Sequence, residues 1–190
     1  MKQSSSGLSR RAMVVLGLAG LSLTVACGND ASSTGAQTID ARVNAVLNEM
    51  YSEYPNTISL AENSSGMLVM PLVTEAGFGF GGGYGRGALR VNGITVDYYS
   101  NTKASAGLQI GAQQYAHVLF FMTDDALMEF RRAPGWTVGA DIEYVIINQG
   151  DSVNADSNTL RHPVLAVIFA QAGFRLGASL EGGKYTRIIP

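Results

Sequence analysis

The sequence predicts an α+β fold with an antiparallel, strongly bent sheet or barrel-like β core and two or three packed helices. The first observation is that glycine occupies every second position from Gly77 to Gly87, which is the two-residue period of a strand with one bare face. The second is that the predicted elements, roughly eight strands and two or three helices, show no β-helix-β alternation, which argues against a doubly wound sheet.

The glycine-rich strand, residues 76–91, is the feature around which the other elements are predicted to assemble. Its other face carries aromatic and basic side chains, including Phe78, Phe80, Tyr84 and Arg86. Glycine weakens a strand, so this many glycines indicate a close approach of another backbone, a bend or space for a ligand. We favour tight packing inside a bent β structure; a cleft for an acyl chain is the alternative.

Residues 1–26 are typical of an export signal. Lys2, Arg10 and Arg11 form a basic head, and residues 12–26 form an apolar run that is short for a membrane span but suits a signal core. The segment around Arg10 and Arg11 also resembles a twin-arginine signal, so both the general secretory and the twin-arginine route stay open.

Cys27 is the only cysteine, and with the preceding Leu-Thr-Val-Ala it resembles a bacterial lipobox, whose cysteine becomes diacylated. We predict that residues 27–37 are the lipidated cysteine and a flexible tether, and that residues 38–190 are the folded domain. The expected location is the bacterial cell envelope, where the lipid on Cys27 makes the membrane a partner. Gly28 favours the outer membrane, facing the periplasm or the cell surface.

The charge of the exported part argues against some partners. Without Lys2, Arg10 and Arg11, ten of the 13 basic residues remain against 15 acidic ones, a net charge of −5. Net charge therefore does not favour nucleic acid or anionic lipid as a partner.

The first helix is predicted over residues 38–54, with Thr38 or Asp40 as its cap and Pro55 at its end. Since Arg42 is its only basic residue, we expect it to dock on the core of the domain and not on lipid. Its apolar face comprises Ile39, Val43, Val46, Leu47, Met50 and Tyr54.

A short second helix is predicted over residues 57–63, and a third opens at Thr123-Asp124-Asp125, with Leu127, Met128 and Phe130 facing inward. Asn92-Gly93 predicts a hairpin turn after the glycine-rich strand. Pro71 suggests the end or edge of a strand. Other strands are predicted near residues 67–73, 94–99, 104–112, 118–122, 137–147, 164–170, 174–180 and 185–189, with a polar loop over 149–161.

Catalytic, metal and cofactor motifs are not predicted. Residues 77–82 fit G-x-G-x-x-G in form, but a strand and a hairpin follow where a dinucleotide site needs a helix. His117 and His162 are far apart, without the spacing of a zinc site or a triad, and each is expected to be structural or on the surface. We therefore expect no enzyme activity and no cofactor.

Several short blocks follow one another in a recognisable order along the exported part. They are residues 66–71 (GMLVMP), 76–79 (AGFG), 82–87 (GGYGRG), 105–111 (SAGLQIG) and 179–182 (SLEG). The order of these blocks resembles the SYLF domain family over nearly the whole exported part. The resemblance implies binding of lipid, especially phosphoinositide, and no catalysis; in eukaryotic members it also implies actin bundling.

Three positions depart from this family, which often has a lysine where this chain has Ser65, Glu75 or Ala172. Fewer basic residues weaken a phosphate site, and actin is not an expected partner. The leading hypothesis is a lipid-anchored envelope lipoprotein whose domain binds a phospholipid, a phosphoinositide-like lipid or another hydrophobic ligand. The alternative is a structural envelope protein that acts through a protein partner. The candidate lipid contacts are Phe78, Phe80, Tyr84, Arg86, Lys184 and Arg187.

Overall fold

The computed structural model describes residues 31–139, 143–146, 162–172 and 180–190. In these ranges three helices accompany one six-stranded sheet, which confirms the α+β class with a bent sheet. The elements are α1 (Ala31–Glu53), α2 (Asn56–Asn63), β1 (Gly66–Val91), β2 (Ile94–Phe121), α3 (Asp124–Arg132), β3 (Trp136–Thr137), β4 (Glu143–Ile146), β5 (Val164–Ala172) and β6 (Lys184–Ile188).

One long antiparallel hairpin, β1–β2, dominates the sheet. Asn92 and Gly93 form its turn with φ angles of 50° and 77°, as the Asn-Gly pair predicts. The prediction of several shorter strands in this region is wrong, because the hairpin pairs from Gly66 with Phe121 down to the turn. Register shifts absorb the irregular positions, including Pro71, so the strands continue through them.

The other strands pair with opposite ends of β2. Its first half pairs with β6, at Tyr98 and Ile188, and its last residues pair with β5, at Phe121 and Val164. The sheet order is β3-β6-β2-β5-β4, with β1 also paired to β2. All these pairs are antiparallel except β4–β5, where the antiparallel prediction is wrong; the chain between these two strands is long enough for the crossover that a parallel pair needs.

The hairpin is folded back so that the two halves of β1 pack against each other. A methyl group added at Gly85 would lie 2.8 Å from the Leu72 carbonyl oxygen, and one at Gly87 would overlap the Val69 carbonyl oxygen. We call residues 66–75 and 112–121 with β4 and β5 the first layer, and residues 82–103 with β3 and β6 the second layer. The bare glycine face therefore serves close packing of two backbones, as the favoured interpretation predicted.

Two cores lie on the two faces of the first layer. The helix-covered core joins α1 and α2 to outward-facing strand residues such as Val69, Val118 and Val167. The interlayer core, closed by α3, contains Leu68, Leu119 and Tyr185. The six residues predicted for the apolar face of α1 are all buried: Ile39, Val43, Val46, Leu47, Met50 and Tyr54.

The start of α1 differs from the prediction, because the helix begins at Ala31 and includes residues predicted as tether. Thr38 does not cap it: its hydroxyl donates to the Thr34 carbonyl within the helix, at 2.7 Å. Asp40 accepts hydrogen bonds from Thr95 and Tyr98, each at 2.8 Å, and so holds the helix on the sheet.

The third helix agrees with its predicted start. The Thr123 hydroxyl accepts from the Ala126 backbone N–H at 3.2 Å, and Leu127 and Phe130 are buried. The inward position predicted for Met128 is wrong, because this side chain is exposed beyond the interlayer core. None of the helices in the described ranges combines the length and the apolar character needed to cross a membrane.

Candidate functional site

An exposed aromatic and basic surface lies on the outer side of the second layer, around the fold in β1. Gly83, Gly85 and Gly87 of the second layer face inward, so the residues that alternate with them face outward. Phe80 is 83% exposed, Tyr84 is 54% exposed, and Arg86 is exposed as well. Large aromatic side chains left this accessible do not contribute to either core.

The strand register brings a second basic residue to this surface. Tyr84 pairs with Thr102, which pairs with Lys184 on β6. Residues directly opposite each other share a face, so Tyr84 and exposed Lys184 lie on the same side, about 10 Å apart across two strand spacings. We call Phe80, Tyr84, Arg86 and Lys184 the outer surface.

Arg187 is not part of the outer surface. It is three residues from Lys184 on one strand, and the two-residue period places the two on opposite faces. Its guanidinium lies 3.4 Å from Asp97 and donates to the Arg131 carbonyl at 3.1 Å, while Arg131 itself lies 3.2 Å from Asp97. Arg187 therefore links α3 to the sheet. The odd spacing in the sequence is a signal that could have separated it from Lys184.

A buried polar cluster lies beneath the outer surface, between the two layers. Glu75 of the first layer is 3.2 Å from the Lys103 ammonium of the second layer, and both side chains are almost completely buried. The other oxygen of Glu75 accepts from Gln113 at 2.6 Å, and the Tyr115 hydroxyl donates to the first at 2.7 Å. Burial, and then the neighbouring carboxylate, raise the pKa of Tyr115. Sequence reasoning missed this cluster. The two-residue period of a strand was a signal that could have found it, because it places Glu75 on the same face as apolar Val73, which is buried.

His117 is a structural residue of the interlayer core, in agreement with one of its two predicted roles. Its Nε2 is 2.7 Å from the Tyr185 hydroxyl, and its Nδ1 has no hydrogen-bond partner among the described residues. Complete burial, assisted by the charge of Lys103, lowers the pKa of His117 to about 3. His162 is exposed, away from His117.

Two clefts open elsewhere on the described surface. One of about 340 Å³ lies between the helices and the hairpin turn, with Tyr51, Ile58 and Arg90 among its lining residues. Another, of about 320 Å³, lies between α3 and the sheet near Trp136. Neither cleft is lined by the outer surface or by His117. In the described ranges, no group of three or more His, Cys, Asp or Glu side chains could hold a metal ion.

Some predicted site residues lie where the structure gives no side-chain geometry. Cys27, Arg10 and Arg11 are outside the described residues. Phe78 is described by its backbone alone, which pairs with Ile110 in the hairpin. Their predicted roles stay predictions.

In a comparison with protein-family models, residues 102–187 match the family described as "Ysc84: Las17-binding protein actin regulator". The matched segment runs from the first half of β2 into β6 and contains two of the blocks noted in the sequence, residues 105–111 and 179–182. The glycine-rich strand precedes it. A search of curated proteins finds no match to the chain.

Proposed function

We infer that this chain, which belongs to the SYLF domain family, is an exported, lipid-anchored lipoprotein whose domain binds lipid on the outer surface. The observation that carries the proposal is that the two faces of β1 have different environments. Its glycine face is occupied by packing, while its other face presents Phe80 and Tyr84 to solvent next to basic side chains.

The chemistry of the outer surface suits an amphiphile. The rings of Phe80 and Tyr84 offer apolar contact area, and the Tyr84 hydroxyl can stay in water. Arg86 offers the planar donor pattern that matches a phosphate bidentately, and Lys184 adds a point charge across the strands. The ligand class is therefore a phospholipid or a phosphoinositide-like lipid, with its head group towards the basic residues and acyl carbons against the rings.

Attachment to the membrane comes from Cys27 in this proposal. Each buried methylene contributes about 0.8 kcal/mol, and stable anchoring needs more than one chain, which a diacylglyceryl group supplies. The domain, with a net charge of −5 in the exported part, adds little attraction to anionic lipid. Lipid binding by the outer surface is thus a weak, reversible interaction, distinct from anchoring.

The family is a binding and regulatory family, and we extend this to propose that the chain is not an enzyme. Regulation of actin, which the family description names, is not carried over to this member. The glutamate at position 75 holds the two layers together and offers no basic group to a partner. The proposed envelope location also separates the chain from actin.

Vesicle flotation tests the proposal. Residues 28–190, without the lipid, are mixed with phosphatidylcholine vesicles, with or without phosphatidylglycerol or a phosphoinositide. We expect binding that a high-salt wash releases and that Phe80→Ser with Tyr84→Ser abolishes. Met128→Gln, an exposed apolar residue on α3, is the matched control and should leave binding unchanged. No flotation with any lipid would overturn the proposal and would favour the protein-partner alternative.

A further inference from the structure

A second exposed apolar surface lies at the other end of the second layer, beyond the last pairing of β6. Ile94 is 68% exposed, Val96 is 40% exposed and Ile189 is 95% exposed. β2 begins and β6 ends at this edge of the sheet, because Tyr98 pairs with Ile188 in antiparallel register. Ile189 follows this row directly, and Val96 and Ile94 precede Tyr98 by two and four residues along β2, so all three lie on the same side of the row. We call them, together with Pro190, the terminal edge.

The start of α1 lies against the terminal edge. A methyl group added at Gly35 would lie 2.8 Å from the carbonyl carbon of Pro190, so the first turns of the helix contact the end of the chain. The hydrogen bonds from Thr95 and Tyr98 to Asp40 hold the helix in this position. The direction in which the chain enters the domain is thereby set.

The number of residues between Gly35 and Cys27 limits how far the proposed lipid can lie from the terminal edge. From Gly35 back to Ala31 the helix rises about 6 Å, and the four residues from Ala31 to Cys27 span at most about 14 Å when fully extended. The chain from Gly35 back to Cys27 can therefore reach no further than about 20 Å from the point where α1 contacts Pro190. Phe80 is eight residues from Ala88, which shares the row of Tyr98 and Ile188. The pairing of β1 with β2 has no register shift between Gly79 and Leu89, so at about 3.3 Å per residue Phe80 lies up to about 26 Å from that row.

We propose that the terminal edge rests on the bilayer that holds the lipid of Cys27. The fold in β1 is then held away from that bilayer. The lipid that Phe80 binds is therefore not a lipid of the bilayer in which Cys27 is anchored. The inference rests on the proposed acylation of Cys27. It places anchoring and ligand binding at opposite ends of one sheet layer.

The charges near the terminal edge are compatible with contact to lipid head groups. Asp97 is paired with both Arg131 and Arg187, whose side chains are about half exposed, so this group carries a net positive charge. Asp40 lies 3.7 Å from Arg90. Each of the two carboxylates therefore has a cation beside it where it faces the bilayer. The apolar side chains of the terminal edge carry no polar atoms, so their insertion among the lipids requires no polar side-chain group to lose its water.

Site-directed fluorescence tests the proposal in the full-length protein. Cys27 is the only cysteine, and acylation blocks its thiol, so a cysteine introduced by Ile189→Cys, Ile94→Cys or Phe80→Cys is the only free thiol. Each variant is purified with its native lipid, placed in phosphatidylcholine–phosphatidylglycerol vesicles and labelled with an environment-sensitive dye. We expect dyes at positions 189 and 94 to shift to shorter wavelength and to be quenched several-fold more by nitroxide lipids than the dye at position 80.

The outcomes separate this inference from the proposed function. Equal quenching at the three positions, or stronger quenching at position 80, would overturn the orientation while leaving anchoring and lipid binding intact. Mass spectrometry of the same samples reports acylation of Cys27, and a cysteine without lipid would overturn the anchor and the orientation together. Flotation of residues 28–190 tests the outer surface independently of either result.

Discussion

The two faces of the second half of β1 have opposite roles in the molecule. The inner face is made of Gly83, Gly85 and Gly87, and the backbone and side chains of the first layer fill the space where other residues would have a Cβ. The outer face, only one residue out of phase, leaves Tyr84 and Arg86 in solvent. The difference shows that one strand can supply a tightly packed face on one side and a solvent-exposed face on the other. Substitutions on the two faces should therefore affect different measurements.

The largest effect is expected from breaking the buried pair on the inner side. Lys103→Met leaves the Glu75 carboxylate buried without its cation, and we expect a loss of about 3 to 5 kcal/mol in the free energy of unfolding. Urea unfolding followed by circular dichroism measures it. The double variant Glu75→Gln with Lys103→Met removes both charges and should recover part of the loss. Equal stability of Lys103→Met and the unchanged protein would show that the pair does not hold the layers together.

A smaller but still large effect is expected from filling the glycine face. Gly87→Ala places a methyl group on the Val69 carbonyl, and the required shift should cost about 1 to 3 kcal/mol or more in unfolding free energy. Gly82→Ala is the matched control in the same strand, because its added methyl group lies no closer than 3.5 Å to any neighbour, and it should stay within about 0.5 kcal/mol. Equal stability of the two variants would contradict the close approach of the two halves of β1.

Acid should destabilise the protein through His117. Its pKa is about 3 in the folded state and 6.5 in the unfolded state, so between these values the unfolded state binds the extra proton. The contribution of His117 is complete above pH 6.5 and is lost as the pH falls towards 3, by up to about 1.4 kcal/mol per pH unit. His117→Gln can still hydrogen-bond Tyr185, and its unfolding free energy should fall less between pH 7 and pH 4.5. An unchanged pH dependence in this variant would contradict the assignment.

The smallest effect on stability is expected on the outer face. Tyr84→Ser removes a side chain that is 54% exposed and outside both cores, so the unfolding free energy should change by less than about 0.5 kcal/mol. Lipid flotation should nevertheless fall several-fold, in contrast to Gly82→Ala on the same outer side. Loss of stability together with binding would mean that Tyr84 belongs to the packing of the domain.

Much of the local structure could be predicted because its causes are local. The apolar face of α1 follows from spacing, the turn from Asn92-Gly93, and the cap of α3 from Thr123. The start of α1 could not be predicted in the same way. Asp40 was a candidate cap, but its carboxylate accepts hydrogen bonds from residues of β2 that lie 55 and 58 positions away, and this pairing cannot be read from the local sequence. The prediction of separate strands failed for a similar reason: register shifts let one strand continue through Pro71 and the glycines.

The candidate site divides in the same way. The two-residue period already placed Phe80, Tyr84 and Arg86 on one face, and it also separates Lys184 from Arg187. It could not show whether that face is a core or a solvent surface, since this depends on which other layer covers it. The structure leaves it uncovered and covers the glycine face instead.

By itself, the sequence determined the fold class, the apolar face of the first helix, the hairpin turn and the alternation of glycine with aromatic side chains. These features depend on residues within a few positions of one another. Only the tertiary structure decided that β1 folds back on itself and that Glu75 meets Lys103 between the layers. Contacts of this kind join segments that are distant in the chain, and their register is set by the packing of the whole sheet.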